Sequence, residues 1–552
     1  MSEVADTPPK LPDDVAVLQA MVGERDLRIA VLEEQLRLAA HKRFGASSEK
    51  ADPDQLGLFN EAESSAVAEW ATEAPANDQI TVPEHTRRKG GRKPLAGHLP
   101  RVRVEHDIAE AEKLCPCGSG HARPRIGEMV SEQADIVPAQ VQVLSHVRFK
   151  YGPCRQCDGV FPPMPSDGND VTPEPHAVVL PEARAIIVAP LPAQPIPKSI
   201  ASPNTCAFVV TAKYADGLPL YRQEKILARY GLDISRGTLA AWMIRLGELI
   251  VPLMNLMEET QLGYDVLQMD ETTVQVLKED GRSAQTKSRM WVRRGGPPGK
   301  PVILFNYEPT RSGAVAWRLT EDFKGFLQSD GYSGYIAVGK RDDIVHIGCL
   351  AHARRGFDEA LKAQKETGPR KGTSKWSRGG LAAEGLALIQ KIYRVEKIAR
   401  EADMGAEARK RLRDEKARPV WAELRQWLDR VRGHAPPSTL VGKAMTYLDN
   451  QWASLVRVLD DGRLEVDNNL CENAIRPFVL GRKAWLFSDT PAGAEASARL
   501  YSLIETAKAC GLEPYAYLRR VFTDLPKATT LAEIEALLPG AIAQPATQSV
   551  AA

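Results

Sequence analysis

The chain has 552 residues, of which 43% are hydrophobic and 26% charged, with a formal net charge of +1. That length exceeds a single core, so several domains are expected, and the composition is that of a soluble globular protein. Eight cysteines in so long a chain argue against a disulfide framework, no uncharged apolar run reaches transmembrane length, and the acidic start MSEVADTPPKLPDD has no apolar secretion core, which points to the cytoplasm.

Residues 1–50 are dominated by a helical stretch over 14–42. Leu18, Val22, Ile29, Leu32, Leu36 and Ala39 recur at steps of three and four, with Arg25 filling one position of the seam. The pattern fits a short coiled coil, or an amphipathic helix packed on its own chain. Residues 51–105 follow as an acidic linker and a basic arm. Residues 51–86 hold acids and no Lys or Arg, whereas 87–103 hold seven basic residues and no acid. Arg87, Arg88, Lys89, Arg92 and Lys93 are therefore candidate DNA contacts, a GGRKP core being suited to a narrow minor groove.

Residues 106–165 read as a compact module. Val141, Val143, Val147, Phe149 and Tyr151 alternate with polar residues, which predicts a strand over that run. Cys115 and Cys117 lie in one turn and Cys154 and Cys157 in another, a pattern for a structural tetrahedral zinc site or for plain thiols. The Cys-x-Cys spacing is tight, so His121 is an alternative ligand to Cys115. Residues 166–205 contain eight prolines and are expected to be an extended linker.

Residues 206–260 are helical. Leu220, Ile226, Leu227 and Tyr230 line one helix, Gly231 and Leu232 turn the chain, and Ser235 caps a second helix with Leu239, Trp242, Met243 and Leu246 inward and Arg236 at its start. This matches a DNA-binding helix-turn-helix or, more plainly, any αα-hairpin. Residues 261–500 open with the strand-like runs YDVLQMDETTVQVL, SRMWVRRG and PVILFNYE, then alternate strand and helix (strands at 325–331 and 344–350), as in a mixed sheet covered by helices. A charged helical insertion occupies about 358–460. Residues 501–552 form a helical element and a disordered tail from 539. The class is thus multidomain α+β.

Three isolated acids carry the chemistry. Asp270 interrupts an apolar strand, Asp330 follows another, and Glu472 stands on a helix that Asp467, Asn468 or Asn469 would cap. Crowded carboxylates repel unless a cation neutralises them, and hard oxygen ligands suit Mg²⁺ or Mn²⁺. Two such ions activate a nucleophile and stabilise a leaving oxygen in phosphodiester chemistry. Arg476, Arg482 and Lys483, just after Glu472, are candidate phosphate contacts. Trp485 suits base stacking or a core position, and His352 and Arg354 are further candidate DNA contacts. His346 and His352 flank Cys349, a pattern for a metal site or, more plainly, for a strand-to-helix junction beside the active site.

The segments HKRFGASSEK, MDET, SDGYSGY, HIGCLAHARRGFDEA, DNNLCENAIRPFVLGRKAWLF and YSLIETAKACGLEPYAYL resemble, over nearly the whole chain, the large transposase (TnpC type) of the insertion-sequence-66 family. The resemblance implies a ribonuclease H-like catalytic core with Asp270, Asp330 and Glu472 as its metal-binding DDE triad and a zinc-finger module at the paired cysteines. It implies binding to the terminal inverted repeats of a mobile element, 3′-end cleavage, and strand transfer into target DNA. Self-association on DNA and small accessory proteins from the same element are expected, with no membrane partner and a nucleoid-associated location. A junction resolvase and a DNA-binding regulator with an inactive core are the competing readings.

Overall fold

A computed structural model of the chain describes Asp14, residues 141–147, four two-residue strands between 150 and 188, and residues 192–365 and 380–542. The predicted coiled coil, the basic arm from Arg87 to Lys93, and Cys115, Cys117, His121, Cys154 and Cys157 lie outside the described residues.

Two expectations are corrected here. The run from Val141 is not strand from its start: residues 141–147 are irregular, Val143 is 91% exposed, and Lys150–Tyr151 forms β1. Alternation predicts strand only where one face is covered, and these side chains meet no core. The proline-rich stretch is not simply a linker. It contains β3 (Val178–Val179) and β4 (Ile187–Val188), which pair antiparallel with β2 (Val160–Phe161) and β1 respectively. Both apolar pairs fall between prolines, where backbone N–H groups remain free to donate.

Four helices follow: α1 (Pro203–Tyr214), α2 (Leu220–Arg229), α3 (Arg236–Leu249) and α4 (Val251–Leu262). Ser235 caps α3 as expected, accepting from Thr238 N at 3.2 Å, and Leu239, Trp242, Met243 and Leu246 are buried. Gly247 of α3 lies against a later helix, α12 (Pro491–Ala509), so closely that a Cβ there would sit 2.9 Å from Ala496. These helices thus share the main core rather than forming a separate lobe.

The centre is a five-stranded sheet of β5 (Val266–Gln275), β6 (Lys287–Gly295), β7 (Val302–Glu308), β8 (Gly325–Gln328) and β9 (Ile344–Ile347), in the order β7-β6-β5-β8-β9. The β5–β6 and β6–β7 pairs are antiparallel, and β5–β8 and β8–β9 parallel. Side chains alternate across β5. Leu267 and Met269 pack with Trp291 against α5 (Gly313–Leu319). The other face, bearing Gln268 and Asp270, meets α11, introduced below.

From Leu350 the chain builds a helical insertion: α6 (Leu350–Lys365), α7 (Leu381–Glu401), α8 (Ala406–Leu412), α9 (Arg418–Val431) and α10 (Leu440–Asn450). Its own core joins Leu350 and Phe357 to Ile389, Trp421, Leu424 and Leu448, so the helices sharing it start at 350, ahead of residue 358. Arg413, 1% exposed, is its polar centre: it donates twice to Glu396 and to the carbonyls of Val458, Asp461 and Leu464. The chain then enters α11 (Asn469–Trp485), α12 and α13 (Pro514–Asp524). At the end, Pro539–Ile542 forms one helical turn where a disordered tail was expected. Among the described residues no single helix is long and apolar enough to cross a membrane.

Candidate functional site

Asp270 sits in the middle of β5, the central strand, opposite Val292 of β6. Asp330 lies two residues past β8, where its Oδ1 accepts from Tyr332 N at 2.9 Å and so shapes the turn that aims it. Glu472 lies in the first turn of α11 and is 5% exposed. The fold thus brings together three carboxylates from three elements. Burial first, then the charges of Glu472, Glu271 and Asp330, push the Asp270 carboxyl well above its usual range. Burial also pushes Glu472 up to about 7, offset by Arg355 and reinforced by Asp467 and Asp330. Carboxylates crowded in this way can be relieved by a proton or by a cation between them.

The start of α11 is fixed by the DNN segment. Asn468 occupies the cap position without making a side-chain cap. Its Nδ2 instead donates 2.8 Å to the carbonyl oxygen of Met269, the residue before Asp270. Asp467 accepts from Asn469 N at 3.1 Å and from the Tyr393 hydroxyl of the insertion at 3.0 Å. Cys471 is buried against the carbonyls of Gln268 and Val292. One block of sequence therefore ties the acidic helix to β5, β6 and the insertion at once.

Glu271, Arg311 and Arg355 had not been singled out as site residues. Glu271, on the opposite face of β5 from Asp270, is held by the Tyr335 hydroxyl at 2.9 Å and by Arg311 Nε. The Arg311 guanidinium also lies 4.0 Å from Asp330 and stacks 3.7 Å over the Tyr332 ring. Arg355 Nη2 stands 3.7 Å from Glu472 Oε2. On the other carboxylate oxygen, Cys349 Sγ lies 4.0 Å away and His352 Nδ1 3.9 Å. Isolated Arg and Cys carry no such signal in sequence; only the motif HIGCLAHARRGF marked this stretch. His346 Nε2 meets Ser329 Oγ at 2.8 Å, and burial pushes both His346 and His352 down to about 4, so each is neutral near pH 7.

The basic candidates separate by environment. Arg236 is exposed, and its backbone N–H donates to Glu224. Lys483 is exposed and Arg476 half-buried. Arg482 donates to Thr272 Oγ1 and Thr273 Oγ1 and to the Thr273 carbonyl, a tie between α11 and β5. Arg354 is buried, which corrects its reading as a DNA contact: the solvent-facing arginine of that pair is Arg355. Trp485 packs edge-on against Phe478 in the core margin, the plainer of its two readings.

The model of the Transposase IS66 family matches residues 198–496. Further models match the Transposase C of IS166 homeodomain at 31–104, the zinc-finger binding domain of transposase IS66 at 112–158 and the IS66 C-terminal element at 502–539. The uncharacterized protein y4jD of Sinorhizobium fredii is 30% identical over 548 residues, covering 96% of each chain. The uncharacterized protein y4qI of the same organism is 30% identical over 544 residues, covering 95% of this chain and 91% of its own. With its core, its amino-terminal modules and its C-terminal element each matched, the chain belongs to the IS66 family of transposases.

Proposed function

We propose that this transposase binds the terminal inverted repeats of its element and carries out metal-dependent 3′-end cleavage and strand transfer, with Asp270, Asp330 and Glu472 as the metal-binding triad. The convergence of these three carboxylates carries the reading: each comes from a separate element, and the charges of Asp330 and Glu472 raise the Asp270 carboxyl. A ribonuclease H-like core is supported by the strand order β7-β6-β5-β8-β9, with three antiparallel strands continued by two parallel ones.

The donor set is all oxygen and suits two Mg²⁺ or Mn²⁺ ions, which when bound activate the attacking hydroxyl and stabilise the leaving oxygen. The chain's own residues supply the rest. Asn468 holds the acidic helix against β5. Arg311 and the Asp330–Tyr332 turn orient Asp330. Arg355 offers a cation beside Glu472 for the scissile strand's phosphate.

DNA recognition is assigned to α2 and α3, whose outer faces present Arg222, Lys225, Arg229, Arg236 and Arg245 to solvent. The basic arm (Arg87, Arg88, Lys89, Arg92, Lys93) and, after Glu472, Arg476 and Lys483 add contacts. Structural zinc is assigned to Cys115, Cys117, Cys154 and Cys157, with His121 as the alternative to Cys115. Pairing of two ends calls for self-association, and accessory proteins of the element complete the assembly. The test is strand transfer from a terminal-repeat oligonucleotide into plasmid DNA with Mg²⁺. Wild type should join, whereas Asp270→Asn, Asp330→Asn and Glu472→Gln should bind the ends without joining. Activity surviving any one substitution removes that residue from the triad.

A further inference from the structure

Glu472 divides its two oxygens between unlike neighbours. Oε2 faces the Arg355 guanidinium at 3.7 Å, a setting for phosphate or charge balance. Oε1 faces a thiol and an imidazole, Cys349 Sγ at 4.0 Å and His352 Nδ1 at 3.9 Å, and the three ligand atoms all lie within 4.8 Å of one another. Neither Cys349 nor His352 has a part in hard-cation chemistry, which uses oxygen.

We propose that Cys349, His352 and Glu472 form a binding site for a thiophilic divalent cation of the Zn²⁺ class, distinct from the carboxylate site but sharing Glu472 with it. The spacing Cys-x-x-His places the thiol just before α6 and the imidazole in its first turn. Zinc bonds of about 2.0–2.3 Å put tetrahedral ligand atoms roughly 3.4–3.6 Å apart, so the thiol and the imidazole must each approach Glu472 Oε1 by about half an ångström and the Cys349–His352 separation, within 4.8 Å, must close to a similar spacing.

Three independent features prepare it. The sulfur is already a hydrogen-bond acceptor: Asn468 N donates to it at 3.2 Å, and the His352 backbone N–H does likewise. Burial first, then the charges of Glu472 and Asp467, hold the thiol well above its ordinary value, and these two donors only partly offset that, so the ion itself must displace the proton. The positive ends of two helices, α6 and α11, meet at the cluster, with Cys349 ahead of one and Glu472 inside the other. His352 Nδ1 is buried and has no hydrogen-bond partner among the described residues, although its side chain is 27% exposed. Sulfur and imidazole favour Zn²⁺ or Co²⁺ over Mg²⁺. Binding releases the Cys349 thiol proton to solvent. Ion binding by these residues stands without the triad reading. Only its consequence, removal of Glu472 from the catalytic set, rests on that reading.

The test uses the full chain, stripped and then titrated with Co²⁺, with bound metal counted after dialysis. The Cys115–Cys157 module is common to all variants and cancels in the comparison. Wild type should bind one ion more than Cys349→Ser, and that ion should add a thiolate-to-cobalt charge-transfer band that Cys349→Ser lacks. His352→Gln, at a partly exposed ring, should bind the extra ion at least tenfold more weakly, and decides the matter alone if Cys349→Ser does not fold. Asp270→Asn should keep the ion, whatever it does to cleavage. Equal stoichiometry and equal spectra in wild type and Cys349→Ser, unchanged affinity in His352→Gln, or loss of the ion in Asp270→Asn would each overturn the proposal.

Discussion

Glu472→Gln should inactivate the transposase and at the same time stabilise its metal-free fold. In the folded chain Glu472 is 5% exposed and its carboxyl is pushed up from 4.5 to about 7, burial being the main cause. An acid raised on folding binds more protons folded than unfolded. Its contribution to stability is therefore fully present below about 4.5 and is lost as the pH rises through about 7. A rise of that size costs the folded state up to roughly 3 kcal/mol once the carboxylate is ionised. Glutamine keeps the shape and never ionises. At pH 8 without divalent metal the variant should be more stable than wild type by up to about that amount. At pH 5 the two should converge. The comparison is made at pH 8 because His346 and His352, pushed down to about 4, withdraw stability only as the pH falls below about 6.5. Saturating Mg²⁺ should then close the gap by stabilising wild type more than the variant. Urea denaturation in chelator and in Mg²⁺, at the two pH values, reads all four quantities. A Glu472→Gln chain that is less stable than wild type at pH 8 in chelator would show that the carboxylate is not electrostatically strained and would refute the reasoning.

Asn468→Ala removes a buried bond to the Met269 carbonyl. It should cost about 1–3 kcal/mol and slow end cleavage by about a hundredfold through misplacement of Glu472; unchanged cleavage kinetics would count against the positioning role. Gly247→Val would force a Cβ to within 2.9 Å of Ala496 and prise α3 from α12. A loss of about 1–3 kcal/mol is expected in chemical denaturation, and a neutral result would mean the two helices are not held at that spacing. Arg413→Met strips Glu396 of its main partner in the insertion core. It should cost about 3–5 kcal/mol, because a buried charge is left undercompensated; a loss below about 1 kcal/mol would show that Arg409 alone suffices.

What was legible in the sequence, and what was not, follows from the range of the interactions. The strands bearing Asp270 and preceding Asp330 were visible because apolar runs between turn residues are local signals. Ser235 and its buried partners on α3 were visible for the same reason. The strand predicted from Val141 failed because alternation names a face to be buried and cannot say whether anything covers it. Val178–Val179 and Ile187–Val188 were hidden by the reverse fault: two residues between prolines give no period, and only partners near positions 160 and 150 make them strands. Cys349 is buried as a small hydrophobe would be. Its proximity to Glu472 spans 123 residues of chain, beyond the reach of any local pattern.

That separation also explains why so much sequence lies between the last strand and the acidic helix. A long connection could leave Glu472 loosely placed, yet the insertion returns its ends to the sheet. Gly348 N donates to the Ser454 carbonyl and Leu350 N to that of Val466, while Gln328 Nε2 donates to the Glu465 carbonyl at 2.7 Å. Tyr393, deep in the insertion, holds Asp467. Asp467, Asn468 and Glu472 are thus placed by the insertion on one side and by β5 on the other. The helical insertion is consequently part of what positions the third carboxylate, and damage to its core at Arg413 should be felt at Glu472, more than fifty residues later in the chain, as lost cleavage as well as lost stability.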